Sequence, residues 1–499
     1  MNQQQTVLDA VIVGSGFGGL GAAAQLTRAG LGDFVILERS SALGGVWRDN
    51  SYPGAACDTQ SVIYCYTYFP HLSVTKLYSD RTELLSYLGG LADAHGLHDH
   101  IRFHSEVTRA VWKEEEALWE ITTDSGDRYQ ARAFVPAWGQ LGVPNIPETP
   151  GIDSFAGHMF HSARWKQHID LTGLRVASIG NAASAVQYVP EVAKEAAQLT
   201  VFQRSANYLF PRGQEIFSDA RRSEFQRDPS TFEALRSEIH TLREAGFQRV
   251  RHATAAQATG VAEALAHLEA QIPDPDLRAK LTPDYEFGCK RVLRSDDYYP
   301  ALMRENVELV TEGIAEITAE GIRTIDGFMR EFDVIIFGTG FRSQAFQAGM
   351  QIVGNDGVTL NERWGDAPEA YLGLCVDGFP NMFLVYGPNT NLNHNSVVTM
   401  MEVQHEFIVD AVCRLRASRP LVLDVRSETV AEYNDFVQTQ LQLSAYTSDC
   451  SSWYKNAAGR VVNNWYGTVE EYRQAVAAIN PTDFGLNSWE NHHREPVTA

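Results

Sequence analysis

The strongest constraint on the fold is a glycine-rich junction near the start of the chain. An apolar run leads into residues 14–19, which read G-S-G-F-G-G, and an alanine-rich segment follows. This order of strand, tight turn and helix is typical of a dinucleotide-binding unit: Gly14 makes the turn, and Gly16 lets the backbone approach a pyrophosphate at the helix N-terminus. Glu38 ends the next apolar run, where a carboxylate can accept from a ribose hydroxyl. We therefore predict Gly14, Gly16, Gly19 and Glu38 as contacts of a dinucleotide, and the early position in a long chain favours FAD over NAD.

A second junction of the same kind follows later, at residues 180–185, which read G-N-A-A-S-A. Alanine replaces the second and third glycines, so the methyl group of Ala182 would loosen the contact with a phosphate. Arg204 follows the next apolar run, where a guanidinium suits the 2′-phosphate of NADPH, although a surface arginine is the alternative. We predict Gly180, Ser184 and Arg204 as contacts of NADPH.

These two units predict an α/β protein with two Rossmann-like dinucleotide-binding domains and a helical insertion in the second. The chain between the last two strands of the second unit is rich in Ala, Glu, Arg and Gln at helical spacing. The predicted organisation is a first part of the FAD-binding domain at 1–145, an NADPH-binding domain at 146–335 with the insertion at about 214–285, and a return to the FAD-binding domain with a C-terminal segment at 336–499.

Charge and cysteine usage exclude several other classes of protein. The formal net charge of −21 argues against a nucleic-acid binder and against binding to anionic membranes. The uncharged run at residues 10–27 belongs to the first junction and does not predict a membrane span. The six cysteines form no C-x-x-C pair, so we expect free thiols, no dithiol centre and no metal site. Residues 1–5 show no signal-peptide pattern, and we expect a cytoplasmic protein.

Further motifs occur in order along nearly the whole chain: GGVW at 44–47, NSYPGAACD at 50–58, VFQR at 201–204, GCKR at 288–291 and GTGF at 338–341. Residues 155–165 read F-A-G-H-M-F-H-S-A-R-W. Together these segments resemble the type I Baeyer–Villiger monooxygenases, a family of class B flavoprotein monooxygenases. The fingerprint FxGxxxHxxxW is matched at residues 155–165, although Lys166 stands where the family usually has Pro or Asp. The C-terminal segment resembles the hydroxyacetophenone monooxygenase subgroup.

The resemblance implies that the protein uses NADPH and O2 to oxidise ketones to esters or lactones through a C4a-peroxyflavin. Arg291 matches the arginine that keeps this species deprotonated, and Asp58 matches the aspartate that holds the arginine. By spacing alone, Arg291 could be a surface cation and Asp58 a turn residue. The resemblance further implies a small-molecule ketone as partner, with a monomer or homodimer as the assembly.

The resemblance also implies coenzyme contacts for three further residues. Lys290 matches the residue that binds the 2′-phosphate together with Arg204. Trp47 would lie beside the isoalloxazine, and Trp453 would lie on a loop that folds over the nicotinamide, with a packed aromatic as the alternative for Trp453.

His161 and His394 are tempting general bases, but we interpret both as structural. Two other functions stay open. A flavin-dependent N- or S-oxygenase would need an electrophilic hydroperoxide, against which Arg291 and Asp58 argue, although sulfoxidation is a plausible side activity. A FAD-binding paralogue with weak NADPH coupling would fit the altered junction at 180–185.

Overall fold

The computed structural model describes residues 6–347, 349–418 and 421–485. Residues 1–5, on which the expectation about a signal peptide rests, lie outside the described residues. The described strands are β1 (Val7–Val13), β2 (Phe34–Leu37), β3 (Ile101–Arg102), β4 (Val107–Lys113), β5 (Leu118–Thr123), β6 (Arg128–Pro136), β7 (His158–His161), β8 (Arg175–Ile179), β9 (Gln198–Phe202), β10 (Leu209–Phe210), β11 (Leu293–Arg294), β12 (Val307–Val310), β13 (Ile314–Ile317), β14 (Gly321–Thr324), β15 (Met329–Glu331), β16 (Val334–Phe337) and β17 (Gln351–Val353).

Helices connect these strands and form the whole of the insertion. The α-helices are α1 (Phe17–Arg28), α2 (Val46–Asp49), α3 (Arg81–Ala94), α4 (Ala185–Glu195), α5 (Asp219–Arg227), α6 (Pro229–Ala245), α7 (Ala255–Gln271), α8 (Pro275–Leu281), α9 (Tyr298–Leu302), α10 (Leu360–Trp364), α11 (Val397–Ala417), α12 (Ser427–Leu441) and α13 (Val469–Ala477). Short 3-10 helices span Leu97–His100, Ile152–Ser154, Ser162–Arg164, Gly246–Val250, Asn355–Gly357, Ala445–Thr447 and Pro481–Asp483. None of the described helices has both the length and the apolar composition needed to cross a membrane.

The first sheet has seven strands in the order β17-β4-β5-β6-β1-β2-β3. Its central strand β1 pairs in parallel with β2 and β6. Ala10, Val11 and Ile12 of β1 are fully buried, as expected for a parallel strand that is covered on both faces. Strand β17 joins the same sheet by pairing with β4, so chain beyond residue 336 contributes to the first sheet. The three predicted domain ranges stay a prediction.

The second sheet has five strands in the order β12-β9-β8-β16-β7, and all its pairings are parallel. Strand β16, whose four residues are all buried, lies between β7 and β8. Helices α5 to α8 lie between β9 and β12 along the chain, where the helical insertion was predicted. A separate three-stranded antiparallel sheet, β13-β14-β15, lies between β12 and β16 in sequence.

Gln187 is one of the residues that hydrogen-bond the second dinucleotide unit to a loop of the first. Gln187 of α4 accepts from the Tyr52 hydroxyl at 3.0 Å and donates to the Ala56 carbonyl at 2.9 Å. Both loop residues precede Asp58 in the chain. The second unit is thereby hydrogen-bonded directly to the loop that carries a predicted catalytic residue.

Cys289 and Cys450 form a disulfide, with their Cα atoms 6.4 Å apart. The expectation that all cysteines are free thiols is therefore wrong for this pair. Their sequence separation is 161, and this spacing gave no signal of pairing. The disulfide joins the loop that carries Lys290 and Arg291 to the C-terminal segment that carries Trp453. The remaining cysteines, Cys57, Cys65, Cys375 and Cys413, are free. Among the described residues, no three His, Cys, Asp or Glu side chains are grouped so that they could hold a metal ion.

Candidate active site

The first junction forms a tight cradle between β1 and α1. Gly14 has φ +97°, and a Cβ there would lie 2.9 Å from the carbonyl oxygen of Ala137. A Cβ on Gly19 would lie 1.9 Å from the carbonyl oxygen of Gly14, so any side chain would push the helix away from the turn. Gly16 is the N-cap of α1 and supplies no side-chain acceptor. The first-turn amides are therefore available to a pyrophosphate, and the cradle fits FAD.

Glu38 lies directly after β2, as predicted, and its carboxylate binds the glycine-rich turn. One oxygen accepts from the amide of Ser15 at 2.9 Å and from its hydroxyl at 2.8 Å. The other accepts from the Ser40 amide at 2.9 Å and from Arg48 at 3.1 Å. Burial disfavours the ionised carboxylate, but Arg48 and the Ser15 amide outweigh burial and lower the pKa of Glu38. Glu38 therefore orders the turn, a role that the sequence analysis missed.

Trp47 lies in α2, immediately after the glycine pair that contacts the first junction. A Cβ on Gly16 would lie 3.4 Å from the Cα of Gly45, so the two loops pack backbone against backbone. The indole of Trp47 donates to the hydroxyl of Tyr64 at 3.3 Å, and the Tyr64 ring packs on Phe17 with centroids 5.0 Å apart. This aromatic group borders the cradle, and the contact of Trp47 with the isoalloxazine stays a prediction.

The second junction repeats the tight turn of the first. Gly180 has φ +102°, and a Cβ there would lie 2.4 Å from the carbonyl oxygen of Gly338. Ser184 is the N-cap of α4, and its side chain makes no cap hydrogen bond. Ala182 is exposed, so its methyl group does not fill the packing between strand and helix, and its effect on a phosphate contact stays a prediction.

Arg204 and Lys290 lie close together, although they are far apart in sequence. Lys290 donates to the hydroxyl of Ser205 at 2.7 Å and lies 4.3 Å from the centroid of the Tyr285 ring. Burial and then the charge of Arg204 lower the pKa of Lys290. Neither cation forms an ion pair with another residue in the described part of the chain. Asp284 is near enough to act on the pKa of Lys290 but forms no ion pair with it, and two neighbouring cations with spare donors suit a phosphate, which supports the predicted 2′-phosphate site.

Arg291 and Asp58 form a bidentate ion pair. Nη2 of the arginine donates to Oδ1 at 2.5 Å, and Nε donates to Oδ2 at 3.1 Å. Asp58 raises the pKa of Arg291, so the guanidinium is permanently charged. Burial opposes ionisation of Asp58, but Arg291 outweighs it and lowers the pKa of the carboxyl. The two residues that the sequence paired are therefore in contact.

A polar cavity adjoins this ion pair. Residues that the sequence analysis had not selected also line it: Thr59, Arg243, Val292, Arg294, Leu392, Asn393 and Asn395. Tyr386 and Tyr454 lie near enough to Arg291 to influence its pKa. Tyr386 adopts φ +60°, a left-handed conformation that is uncommon for a bulky residue and is concentrated at functional sites.

The comparisons with known proteins agree with this arrangement. The family model for pyridine nucleotide-disulphide oxidoreductases matches residues 11–214. A Baeyer-Villiger monooxygenase from Streptomyces coelicolor is 41% identical over 478 residues, which cover 95% of this chain and 91% of that protein. The chain belongs to the Baeyer–Villiger monooxygenase family.

Solved structures extend the likeness to the cofactors. An oxidised steroid monooxygenase bound to NADP has a TM-score of 0.84 at 33% identity and covers 95% of this chain and 97% of its own. The OTEMO complex with FAD and NADP has a TM-score of 0.86 at 27% identity, with coverage of 95% and 98%. The sequence predictions of an α/β fold with Rossmann-like domains and of an NADPH-dependent flavoprotein monooxygenase are confirmed.

In this Baeyer–Villiger monooxygenase, Trp453 lies in the C-terminal segment beside the ion pair. Its backbone carbonyl accepts from the hydroxyl of Ser343 at 3.0 Å, and its ring packs on Tyr454 with centroids 4.8 Å apart. Tyr454 donates to Asn393 of the cavity at 2.7 Å. Trp453 is half-buried, so this indole is partly packed and partly open, and its contact with a nicotinamide stays a prediction.

The contacts of His161 and His394 fit the structural roles predicted for them. Nδ1 of His161 accepts from the Ala163 amide at 3.1 Å, and burial lowers the pKa of the imidazole to about 4. His394 is buried, with its Nε2 atom 3.4 Å from a carboxylate oxygen of Glu244. Asn395 donates to the same carboxylate at 2.6 Å, so this loop is anchored to the end of α6.

Proposed function

We propose that the protein oxidises a ketone to an ester or lactone and consumes NADPH and O2. The observation that carries this proposal is the bidentate Arg291–Asp58 pair, whose two residues line a polar cavity. The ketone, O2 and the assembly as monomer or homodimer are parts of the same proposal.

Each cofactor has a group of residues suited to hold it. The cradle of Gly14, Gly16 and Gly19 would hold the FAD pyrophosphate, whereas Arg204 and Lys290 would hold the 2′-phosphate of NADPH. When bound, NADPH supplies a hydride to FAD, and the reduced flavin activates O2.

Arg291 would stabilise the negative charge that develops on the carbonyl oxygen as the ketone is attacked. A fixed cation is most effective where water is excluded, because the local dielectric constant is low. The guanidinium cannot serve as a general acid, because Asp58 raises its pKa further above an already high value. Asp58 binds Nε and Nη2 and so fixes the plane of the guanidinium, while Nη1 is free of this pair.

The experiment that tests the proposal compares wild type with Arg291→Ala and Arg291→Lys. Loss of a preorganised charge at a developing oxyanion costs roughly 10²- to 10³-fold in rate. We expect Arg291→Ala to bind FAD and to oxidise NADPH while it forms no ester, with the lost turnover recovered as hydrogen peroxide. Normal ester formation by this variant would refute the role of Arg291. Arg291→Lys keeps the charge but not the bidentate geometry, so partial activity is expected.

Cytoplasmic localisation stays a prediction. The Cys289–Cys450 disulfide argues against a location in a strongly reducing compartment, because disulfides are rare in the cytosol. Cell fractionation, with the thiols alkylated at lysis, tests both the compartment and the oxidation state of this pair.

A further inference from the structure

The cavity beside Arg291 contains more positive than negative charge. Three arginines line it, Arg243, Arg291 and Arg294, and Asp58 is the only acidic residue among its described lining residues. The chain as a whole carries a net charge of −21, so this local excess is not a reflection of composition. Asp58 is bidentate with Arg291 and also interacts electrostatically with Arg243 and Arg294, so one carboxylate is shared among three guanidiniums and the lining keeps an excess of positive charge.

Arg243 extends from α6 of the helical insertion. Its Nε atom donates to the side-chain carbonyl of Gln60 at 2.8 Å, and Nη2 donates to the same oxygen. Gln60 is neutral, and Arg243 forms no ion pair with the described residues. Burial, followed by the charge of Arg294, lowers the pKa of Arg243 to about 10. Asp58 partly offsets this burial penalty, but its carboxylate is already bidentate with Arg291, so Arg243 keeps unneutralised positive charge beside the cavity.

Arg294 reaches the same cavity from β11. Its Nη1 atom donates to the carbonyl of Pro211 at 3.2 Å, and its guanidinium lies 5.4 Å from the centroid of the Phe210 ring. These contacts hold the side chain in place without neutralising it. Two positioned guanidiniums therefore share one cavity with Arg291, and each retains donors that protein carboxylates do not use.

We propose that Arg243 and Arg294 form an anion subsite that binds the carboxylate of a ketone substrate, so that the protein is an oxygenase of keto acids. This inference rests on the proposed function and narrows its substrate class. Guanidinium groups match the planar geometry of a carboxylate. With the carboxylate held by Arg243 and Arg294, the carbonyl of the same molecule is left for Arg291. The coenzyme phosphates have separate cradles, at the two glycine-rich junctions and at Arg204 with Lys290.

The test uses the FAD-loaded enzyme with methyl ketones of increasing length that end in a carboxylate, each compared with its methyl ester. Loss of a charged hydrogen-bonding partner corresponds to a loss of roughly 10-fold or more. We expect Arg243→Gln and Arg294→Gln each to lower kcat/KM for the keto acid by about this factor, with the ester and the KM for NADPH changed less than about twofold. Arg227 is an exposed arginine of the same insertion, so Arg227→Gln is the matched control. It should leave kcat/KM unchanged for both the keto acid and the ester.

A binding measurement separates this inference from the proposed function. Calorimetric titration of the FAD-loaded enzyme with a saturated fatty acid of matching length, without NADPH, requires no turnover. We expect wild type to bind the carboxylate about 10-fold more tightly than Arg243→Gln does, even if no ketone in the panel is oxidised. If Arg243→Gln fails to fold, as judged by circular dichroism, Arg294→Gln alone decides the test. The inference is wrong if the variants lose activity equally with the keto acid and its ester, or if the fatty acid binds the variants as tightly as wild type. It is also wrong if the main loss is in affinity for NADPH, because the two arginines would then bind a coenzyme phosphate.

Discussion

The pairing of Lys290 with Arg204 predicts how the enzyme distinguishes NADPH from NADH. NADH lacks the 2′-phosphate, so replacing either cation by glutamine should lower kcat/KM for NADPH and leave kcat/KM for NADH nearly unchanged. The two residues differ in surroundings: Lys290 is half-buried, hydrogen-bonded to Ser205 and packed over the Tyr285 ring, whereas Arg204 is exposed.

These surroundings set the expected magnitudes. A charged hydrogen bond at a partly buried site contributes about 1.5–3 kcal/mol, which corresponds to roughly 10- to 100-fold in kcat/KM. An exposed ionic contact contributes up to about 1 kcal/mol, or roughly fivefold. We therefore expect Lys290→Gln to lower kcat/KM for NADPH more than Arg204→Gln does. Raising the ionic strength should reduce the effect of Arg204→Gln on kcat/KM for NADPH more than that of Lys290→Gln, because exposed charges are screened by salt.

The assay is steady-state oxidation of each coenzyme at saturating ketone, with FAD content measured for every variant. Arg227→Gln is again the control for the loss of one positive charge. The reasoning would be refuted by equal losses with NADPH and NADH, because the two cations would then act on a part shared by both coenzymes. It would also be refuted if Arg204→Gln had the larger effect at low salt.

Three further predictions concern FAD binding and stability. Gly19→Ala should abolish FAD binding because its Cβ would lie 1.9 Å from the Gly14 carbonyl oxygen, whereas Gly32→Ala, with nothing within 4 Å, should retain full flavin content after gel filtration. Cys450→Ser should lower the free energy of unfolding in guanidinium by about 2–4 kcal/mol, since the disulfide closes a long loop. Dithiothreitol should destabilise wild type by a similar amount and leave the variant unchanged. If dithiothreitol destabilised the variant as much as wild type, the stabilising role of the disulfide would be contradicted. Burial, opposed by the Gly378 amide, raises the pKa of Asp424 to about 7. Between about pH 4 and 7 the carboxyl is therefore protonated in the folded state and ionised in the unfolded state. The free energy of unfolding falls as the pH rises through that range. Asp424→Asn should therefore unfold at a higher temperature than wild type at pH 8, with the difference vanishing below about pH 4; a constant difference across pH would contradict the shifted pKa.

The sequence predicts the parts of the fold that have fixed local chemistry. A tight strand-to-helix turn requires glycine, so the turns at Gly14 and Gly180 were visible before the structure. Family motifs also located Arg291 and Asp58, which are in contact. In both cases a residue type is dictated by backbone geometry or by a strict chemical role.

Contacts between distant segments could not be predicted in this way. Arg243 and Arg294 come from a helix and a strand whose common cavity depends on the packing of the insertion. Cys289 and Cys450 show no informative spacing, because the fold alone brings them together. Glu38 was located correctly, but its bonds to Ser15 depend on the depth of the turn and are not encoded by a motif.

The central claim is that the protein inserts one oxygen atom from O2 beside a ketone carbonyl. The most direct measurement is the product mass formed by purified FAD-loaded enzyme with NADPH and ¹⁸O2, on a panel of aryl, cyclic and linear ketones, keto acids and a thioether. The account predicts an ester or lactone that carries one ¹⁸O atom. A labelled sulfoxide without any ester, or an unlabelled ester, would contradict it.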